Sequence, residues 1–207
     1  RRTSSAASDV YKRQREELPG AVKFIFQPAE EGAPKGEEGG AKLMVAEGVL
    51  KNPDVDAVIG LHISQGGEVG TASYRSLGFM ASAQRFDIKI QGKQTHGARP
   101  WAGVDPIVVG AQIVNALQTI VSRQIDITQH PAVVTVGSFA AGVRNNIVPE
   151  TATLTGTIRT FDAAVRRSIH EKIRSIAQQT ATAMGAVATV EIDPGVPVTF
   201  NDAALTK

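Results

Sequence analysis

The sequence predicts an α/β protein in two parts. Apolar stretches at 22–27 and 55–63 flank a helical stretch at about 39–50, the pattern of a parallel crossover unit. Farther on, six segments switch between an apolar period of two and one of about 3.6, in the order β-α-β-β-α-β. That order is the ferredoxin-like layout, with helices on one face of an antiparallel sheet. A length of 207 residues, with 42% hydrophobic and 20% charged residues, suits one large or two modest domains with a sizeable core.

Residues 1–14, RRTSSAASDVYKRQ, are polar and without period, and are set apart as a foreign or disordered tail. Residues 15–77 are expected to form part of a catalytic α/β domain. In VKFIFQ, Val22, Phe24 and Phe26 alternate with Lys23 and Ile25, which reads as a buried or half-buried strand that Pro28 ends. Leu43, Met44, Val45, Val49 and Leu50 mark the short helix. VDAVIGLHI, Val55 to Ile63, reads as a second buried strand that delivers His62 near its end.

Residues 78–193 read as a complete second domain. Phe86, Ile88 and Ile90 alternate with Asp87, Lys89 and Gln91, giving a strand with one wet face. Asp105 is placed to cap the following helix and Pro106 suits its first turn. AVVTVGSF (132–139) and TATLTGTIR (151–159) are strands, the second with Ala152, Leu154 and Ile158 on one face. FDAAVRRSIHEKIRSIAQQTATAM is helical, with Val165, Ile169, Ile173, Ile176 and Met184 as its buried stripe and Gly185 placed to end it. AVATVEI (186–192) is the last strand. Residues 194–207 read as a linker and the start of a return to the first domain, and the chain is expected to be a piece of a longer protein.

Charge excludes some function classes. The net charge is +2, and Lys and Arg are scattered without a long run, which gives no footprint for nucleic acid or an anionic membrane surface. No apolar run approaches the ~18 residues of a membrane span. The chain has no cysteine, so it has neither a disulfide framework nor thiolate chemistry of its own. RNA-recognition domains share the β-α-β-β-α-β order but stack bases on aromatics of their central strands; TATLTGTIR has none.

The chemistry concentrates in Glu30, Glu31, His62, His96, Asn146 and Arg159. An acidic pair after a strand is usually a solvated loop. At the carboxyl end of a strand in an α/β fold, however, it lies where ligands gather. Consecutive residues on an extended chain point opposite ways. One glutamate can then hold a metal while the other takes a proton from water whose pKa the metal lowers towards ~7. His62, at the end of the next predicted strand, is either a further ligand or a structural histidine. Arg159 falls on the face opposite Leu154 and Ile158, where a guanidinium can grip a carboxylate with two hydrogen bonds; taken alone it also suits a surface salt bridge. Asn146 in NNIVP also suits a turn entering a strand. His130 and His170 read as non-catalytic, His170 on the polar side of its helix. GAPKGEEGG lacks the phosphate-loop pattern and carries acids that would repel phosphate.

QPAEEG, GLHI, THGARPWAGVDPI, RNNIVP and GTIRTF follow one another as in the metal-dependent amidohydrolases. The chain from Arg15 to Lys207 thus resembles the family of hippurate hydrolase, N-acyl-amino-acid amidohydrolases and indole-acetyl-amino-acid hydrolases, related to aminoacylases and zinc carboxypeptidases. The resemblance implies a partial zinc-peptidase-like α/β catalytic domain with a ferredoxin-like lid that also dimerises. It implies hydrolysis of the amide bond of N-acyl amino acids at a site holding two divalent ions, of Zn, Mn or Co. Glu30 then resembles the general base and Glu31 a metal ligand, with His62 a ligand of the second metal. His96 resembles the lid histidine that polarises the scissile carbonyl, often across a dimer, Asn146 a polar partner near that carbonyl, and Arg159 the arginine that binds a substrate carboxylate. A small-molecule substrate, a homodimer through the lid, no nucleic-acid or membrane partner and a cytoplasmic location are expected. The family's Cys-Gly-His-Asp type motif and its late histidine ligand are not in these residues, so the chain alone is expected to be inactive and to bind zinc weakly. Trp101 stands where a histidine is common in relatives. A non-catalytic dimerisation and substrate-capture module is the competing function.

Overall fold

Contacts divide the chain into two units, Arg1–Glu68 and Val69–Lys207, in a computed structural model that describes residues 16–17, 19–30, 32–34, 36–63 and 66–207. In the first unit, helix α1 is Gly40–Ala46, shorter than the expected 39–50. Gly48 takes a left-handed φ of 84° and turns the chain out of the helix, with its N–H donating to the Val45 carbonyl. The loop before α1 closes on itself: Gly40 N donates to Pro28 O at 3.0 Å and Gly32 N to Ala29 O at 3.1 Å.

The strands expected at 22–27 and 55–63 do not form in the described residues. A strand exists through the ladder hydrogen bonds of a neighbour, and neither segment belongs to a sheet among the described residues. Phe26, Ile59, Leu61 and Ile63 are accordingly exposed. Their apolar pattern was sound, but the pairing it presupposes is absent there.

The second unit runs β1 (Leu77–Met80), β2 (Gln84–Gln91), β3 (Thr95–His96), a 3-10 turn (Pro100–Ala102), α2 (Pro106–Gln124), β4 (Ala132–Ala141), β5 (Ile147–Val148), β6 (Thr151–Thr160), α3 (Ala163–Ala183), β7 (Val187–Ile192) and β8 (Thr199–Asn201). The main sheet has the order β4-β6-β2-β7, antiparallel throughout. Connectivity along it is β-α-β-β-α-β, as the apolar periods predict. Alternation puts Phe86, Ile88 and Ile90 of β2 and Ala152, Leu154 and Ile158 of β6 on one buried face. Ile113, Leu117 and Ile120 of α2 and Ile169, Ile173 and Ala177 of α3 belong to the same core.

The opposite face is polar. There Arg85 and Asp87 form a two-pronged ion pair at 2.8 Å, and Thr155 Oγ1 donates to Asp87 at 2.8 Å. The Arg85 hydrogen bonds, seconded by Thr155, hold the Asp87 carboxyl below its ordinary range.

Both long helices are capped by an aspartate. Asp105 accepts from Ile107 N at 2.8 Å and Pro106 occupies the first turn; Asp162 accepts from Ala164 N at 2.7 Å and Val165 N at 2.8 Å. Gly185, with φ 79°, follows α3 as expected. The α3 stripe needs one correction: Met184 is 36% exposed, and Ala177 and Ala181 fill the inner positions instead. Met184 lies past the last helical residue, so it leaves the helical phase. His170 is half-buried, between Arg166 and Arg174 one turn away on either side, with Nε2 lacking a partner among the described residues. Desolvation, then the Arg174 and Arg166 charges, push its pKa down.

Two small ribbons are absent from the sequence reading. Strands β1 and β8 pair from Leu77↔Asn201, which keeps the last residues in contact with the second unit. Strands β3 and β5 pair as Thr95↔Val148 and His96↔Ile147. Among the described residues, no helix is long and apolar enough to cross a membrane.

Candidate active site

The β3–β5 ribbon brings two of the candidate residues together. His96 stands opposite Ile147, and the next residue, Gly97, donates its N–H to the Asn146 carbonyl at 2.8 Å. A side chain at Gly97 would press on the Asn146 backbone, with its Cβ at 3.2 Å from the carbonyl carbon, so glycine permits this approach. His96 and Asn146 are both exposed.

The turn after His96 fixes its ring. Arg99 N donates to His96 O at 2.8 Å, and Thr95 Oγ1 donates to Arg99 O at 3.2 Å. Ala98 N donates to His96 Nδ1 at 3.1 Å. A ring nitrogen that accepts carries no proton, so the neutral imidazole bears its proton on Nε2. His96 thus presents an N–H donor to whatever faces it. Sequence reasoning missed Thr95 and the Ala98 N–H; only the turn preference of Ser and Thr hints at the first.

His62 has the reverse tautomer. Its Nδ1 lies 2.6 Å from the Ile63 carbonyl. A carbonyl only accepts, so Nδ1 donates and Nε2 keeps its lone pair. That is the form in which histidine ligates a metal, with the other nitrogen held by a backbone carbonyl. Glu30 is exposed, in the turn that Gly32 N closes on Ala29 O. Glu31 lies outside the described residues. Among the described residues, no group of three or more His, Asp or Glu converges as a metal cluster. The donor types nevertheless suit zinc or manganese, since both carboxylate oxygen and imidazole nitrogen ligate these ions.

Arg159 is exposed near the end of β6, where Nη1 donates to Thr157 Oγ1 at 2.5 Å and to Ile158 O at 3.0 Å. It does not share the ribbon with His96 and Asn146. β6 starts at Thr151, three positions after the ribbon strand β5. At about 3.3 Å per residue, roughly 26 Å of strand separates Thr151 from Arg159.

Comparison with known proteins agrees with the motifs. The sequence profile described as Peptidase family M20/M25/M40 matches residues 5–207. An N-acetyl-L-cysteine deacetylase of Bacillus subtilis is 37% identical over 97% of this chain and 46% of its own length. A hippurate hydrolase of Campylobacter jejuni is 36% identical over 88% of the chain and 46% of its own. Among solved structures, a dinuclear metal-binding M20 peptidase of Bacillus subtilis superposes with a TM-score of 0.71 and 34% identity, over 95% of this chain and 47% of that one. The chain spans about half the length of the curated relatives it matches. With motifs, profile and superposition in agreement across nearly all of its residues, the chain belongs to peptidase family M20/M25/M40.

Proposed function

We propose that this chain supplies part of the active site of a divalent-metal-dependent hydrolase that cleaves the amide bond of N-acyl amino acids or related amides. The observation that carries the reading is His96. Its Nδ1 is occupied by a backbone N–H, leaving an outward Nε2–H, beside Asn146, that can donate to a carbonyl oxygen. Such a donor stabilises the charge that grows on that oxygen during attack. The relatives bear names of the same chemistry, deacetylase and hippurate hydrolase.

Each residue has a role. Glu30 takes the proton from the attacking water and returns it to the leaving amine. Glu31 and His62 hold metal, His62 through the Nε2 lone pair that its bond to Ile63 O leaves free. A bound divalent metal supplies Lewis acidity and lowers the pKa of water. Two ions are proposed per site, of Zn, Mn or Co. A catalytic zinc takes three protein ligands, and this chain offers two, so turnover needs ligands beyond these. Residues 15–77 act as part of the metal-binding domain and residues 78–193 as a ferredoxin-like lid. A panel of N-acetyl, N-benzoyl and indole-acetyl amino acids tests the reading in an enzyme that carries this chain with its remaining ligands. Hydrolysis of at least one class, lost in His96→Ala, is expected; no hydrolysis of any would reject it.

Arg159 is assigned to the substrate carboxylate. Arg159→Ala is expected to weaken N-acyl amino acids with a free carboxylate by about 1.5–3 kcal/mol, the size of a charge-assisted hydrogen bond, and to leave their amides nearly unchanged. Equal losses on both substrates would remove Arg159 from recognition.

The length of β6 between the ribbon and Arg159 favours a site shared by two copies, with His96 and Asn146 from one lid and Arg159 from another. The sheet offers β4 and β7 as edges for pairing. The same edges favour the second reading, a dimerisation and substrate-capture module. The buried cluster lies wholly between Phe86 and Ile192, so residues 78–193 are expected to fold alone and dimerise. A sedimentation mass of one copy at high concentration would exclude dimerisation through this domain.

A further inference from the structure

We infer that Trp101 is a specificity-determining residue that packs against the acyl group of the substrate and favours aromatic over acetyl groups. The inference rests on the reading of His96 given above. Trp101 is the single tryptophan of the chain and is 81% exposed. An indole is a large apolar body whose burial is strongly favourable, so one left open on the surface has area to give to a ligand.

Its placement selects the ligand. Trp101 sits in the 3-10 turn Pro100–Ala102, five positions after His96, in the hydrogen-bonded turn that orients the imidazole. Ala102 N donates to Arg99 O at 3.1 Å and Gly103 N to Pro100 O at 3.2 Å. Lys93 and Val104 exchange backbone hydrogen bonds at 2.9 and 3.0 Å across the base of the turn. A side chain at Gly103 would run into the Lys93 carbonyl and Thr95, so this close approach requires glycine. The indole is thereby carried on the same rigid segment as the Nε2–H. A rigid aromatic loses little conformational entropy when it is covered.

The carbonyl that His96 meets belongs to the acyl group. The acyl substituent is bonded directly to the carbonyl carbon, whereas the carboxylate, assigned to Arg159 of another copy, lies three bonds away from it. The group nearest the His96 turn is therefore the acyl substituent, and an uncharged aromatic ring suits it. An aromatic acyl group can stack on indole with ring centroids about 4.5–7 Å apart, which an acetyl group cannot do.

The test uses the metal-loaded enzyme that carries this chain, with N-benzoylglycine and N-acetylglycine. Trp101→Ala is expected to lower the ratio of kcat/KM for benzoyl over acetyl by about tenfold, the range that a small apolar contact discriminates, and Trp101→Phe to restore most of it. The difference in emission between wild type and Trp101→Phe isolates the indole. It is expected to change on adding N-benzoylglycine, at substrate concentrations near KM. An unchanged ratio in Trp101→Ala, with both substrates still hydrolysed, overturns the inference while leaving the function intact. An emission change that follows protein dilution and ignores substrate also overturns it, by showing that a second copy covers the indole. Failure of the wild type to hydrolyse either substrate rejects the underlying function instead.

Discussion

Glu30→Gln is expected to lower kcat by about 100- to 10,000-fold, the usual loss on removing a positioned general base, while metal content stays near that of the wild type. The neutral amide keeps the shape of the side chain and cannot take a proton from water. Glu31→Gln is expected to do the opposite at the first step, losing metal because a carboxylate ligand becomes a weak amide donor. Metal analysis of the two variants beside single-turnover rates separates the roles. Loss of metal in Glu30→Gln with retention in Glu31→Gln would reverse the assignment of the pair. Both measurements belong in an enzyme that carries the remaining ligands, since this chain offers two of the three that a catalytic zinc takes.

Gly156→Ala is expected to be among the most destabilising single-methyl substitutions in the second unit. Gly156 lies on β6 opposite Phe86 of β2 and Val136 of β4. A Cβ there would overlap the Phe86 ring and the Thr135 carbonyl. The carbonyl belongs to backbone and the ring is fully buried, so neither can move aside cheaply. Overpacking of this kind costs about 3 kcal/mol at its upper range, a fall of roughly 10 °C in Tm for a domain of this size. Phe86→Leu in the same chain is expected to return part of the loss by withdrawing the ring, a coupling that a double-mutant cycle reads directly. A Tm within a degree of wild type for Gly156→Ala would show that the sheet is looser at its centre than the packing implies.

The second unit was legible because its signals were local and redundant. The strand periods of 86–90 and 152–158, and the Asp-Pro start at 105–106, each state one element without help from the rest. The first unit was not, because a strand is a relation between two segments. Val22, Phe24 and Phe26 carry the right alternation, and yet 22–27 joins no sheet among the described residues. Short ribbons such as β3–β5 are illegible for a similar reason, since two residues are too few to show a period. The candidate site was half legible. Residue type and order pointed to His62 and His96, but the direction in which each ring carries its proton depends on Ile63 O and Ala98 N, contacts that no spacing reveals. Arg159 could be placed on its face of β6 from alternation, yet its distance from His96 emerged only with the ribbon.

The order β4-β6-β2-β7 has a consequence for biosynthesis. The strand that ends at the centre of the sheet is among the first of that unit to be made. Phe86 pairs with Ile192, 106 positions later. At about 5–20 residues per second, the ribosome needs roughly 5–20 s to deliver that partner. For that interval the row Phe86, Ile88 and Ile90 has one or both flanks open. The nascent chain must therefore shelter this apolar row, by early packing against α2 or by a chaperone, until its last partner emerges.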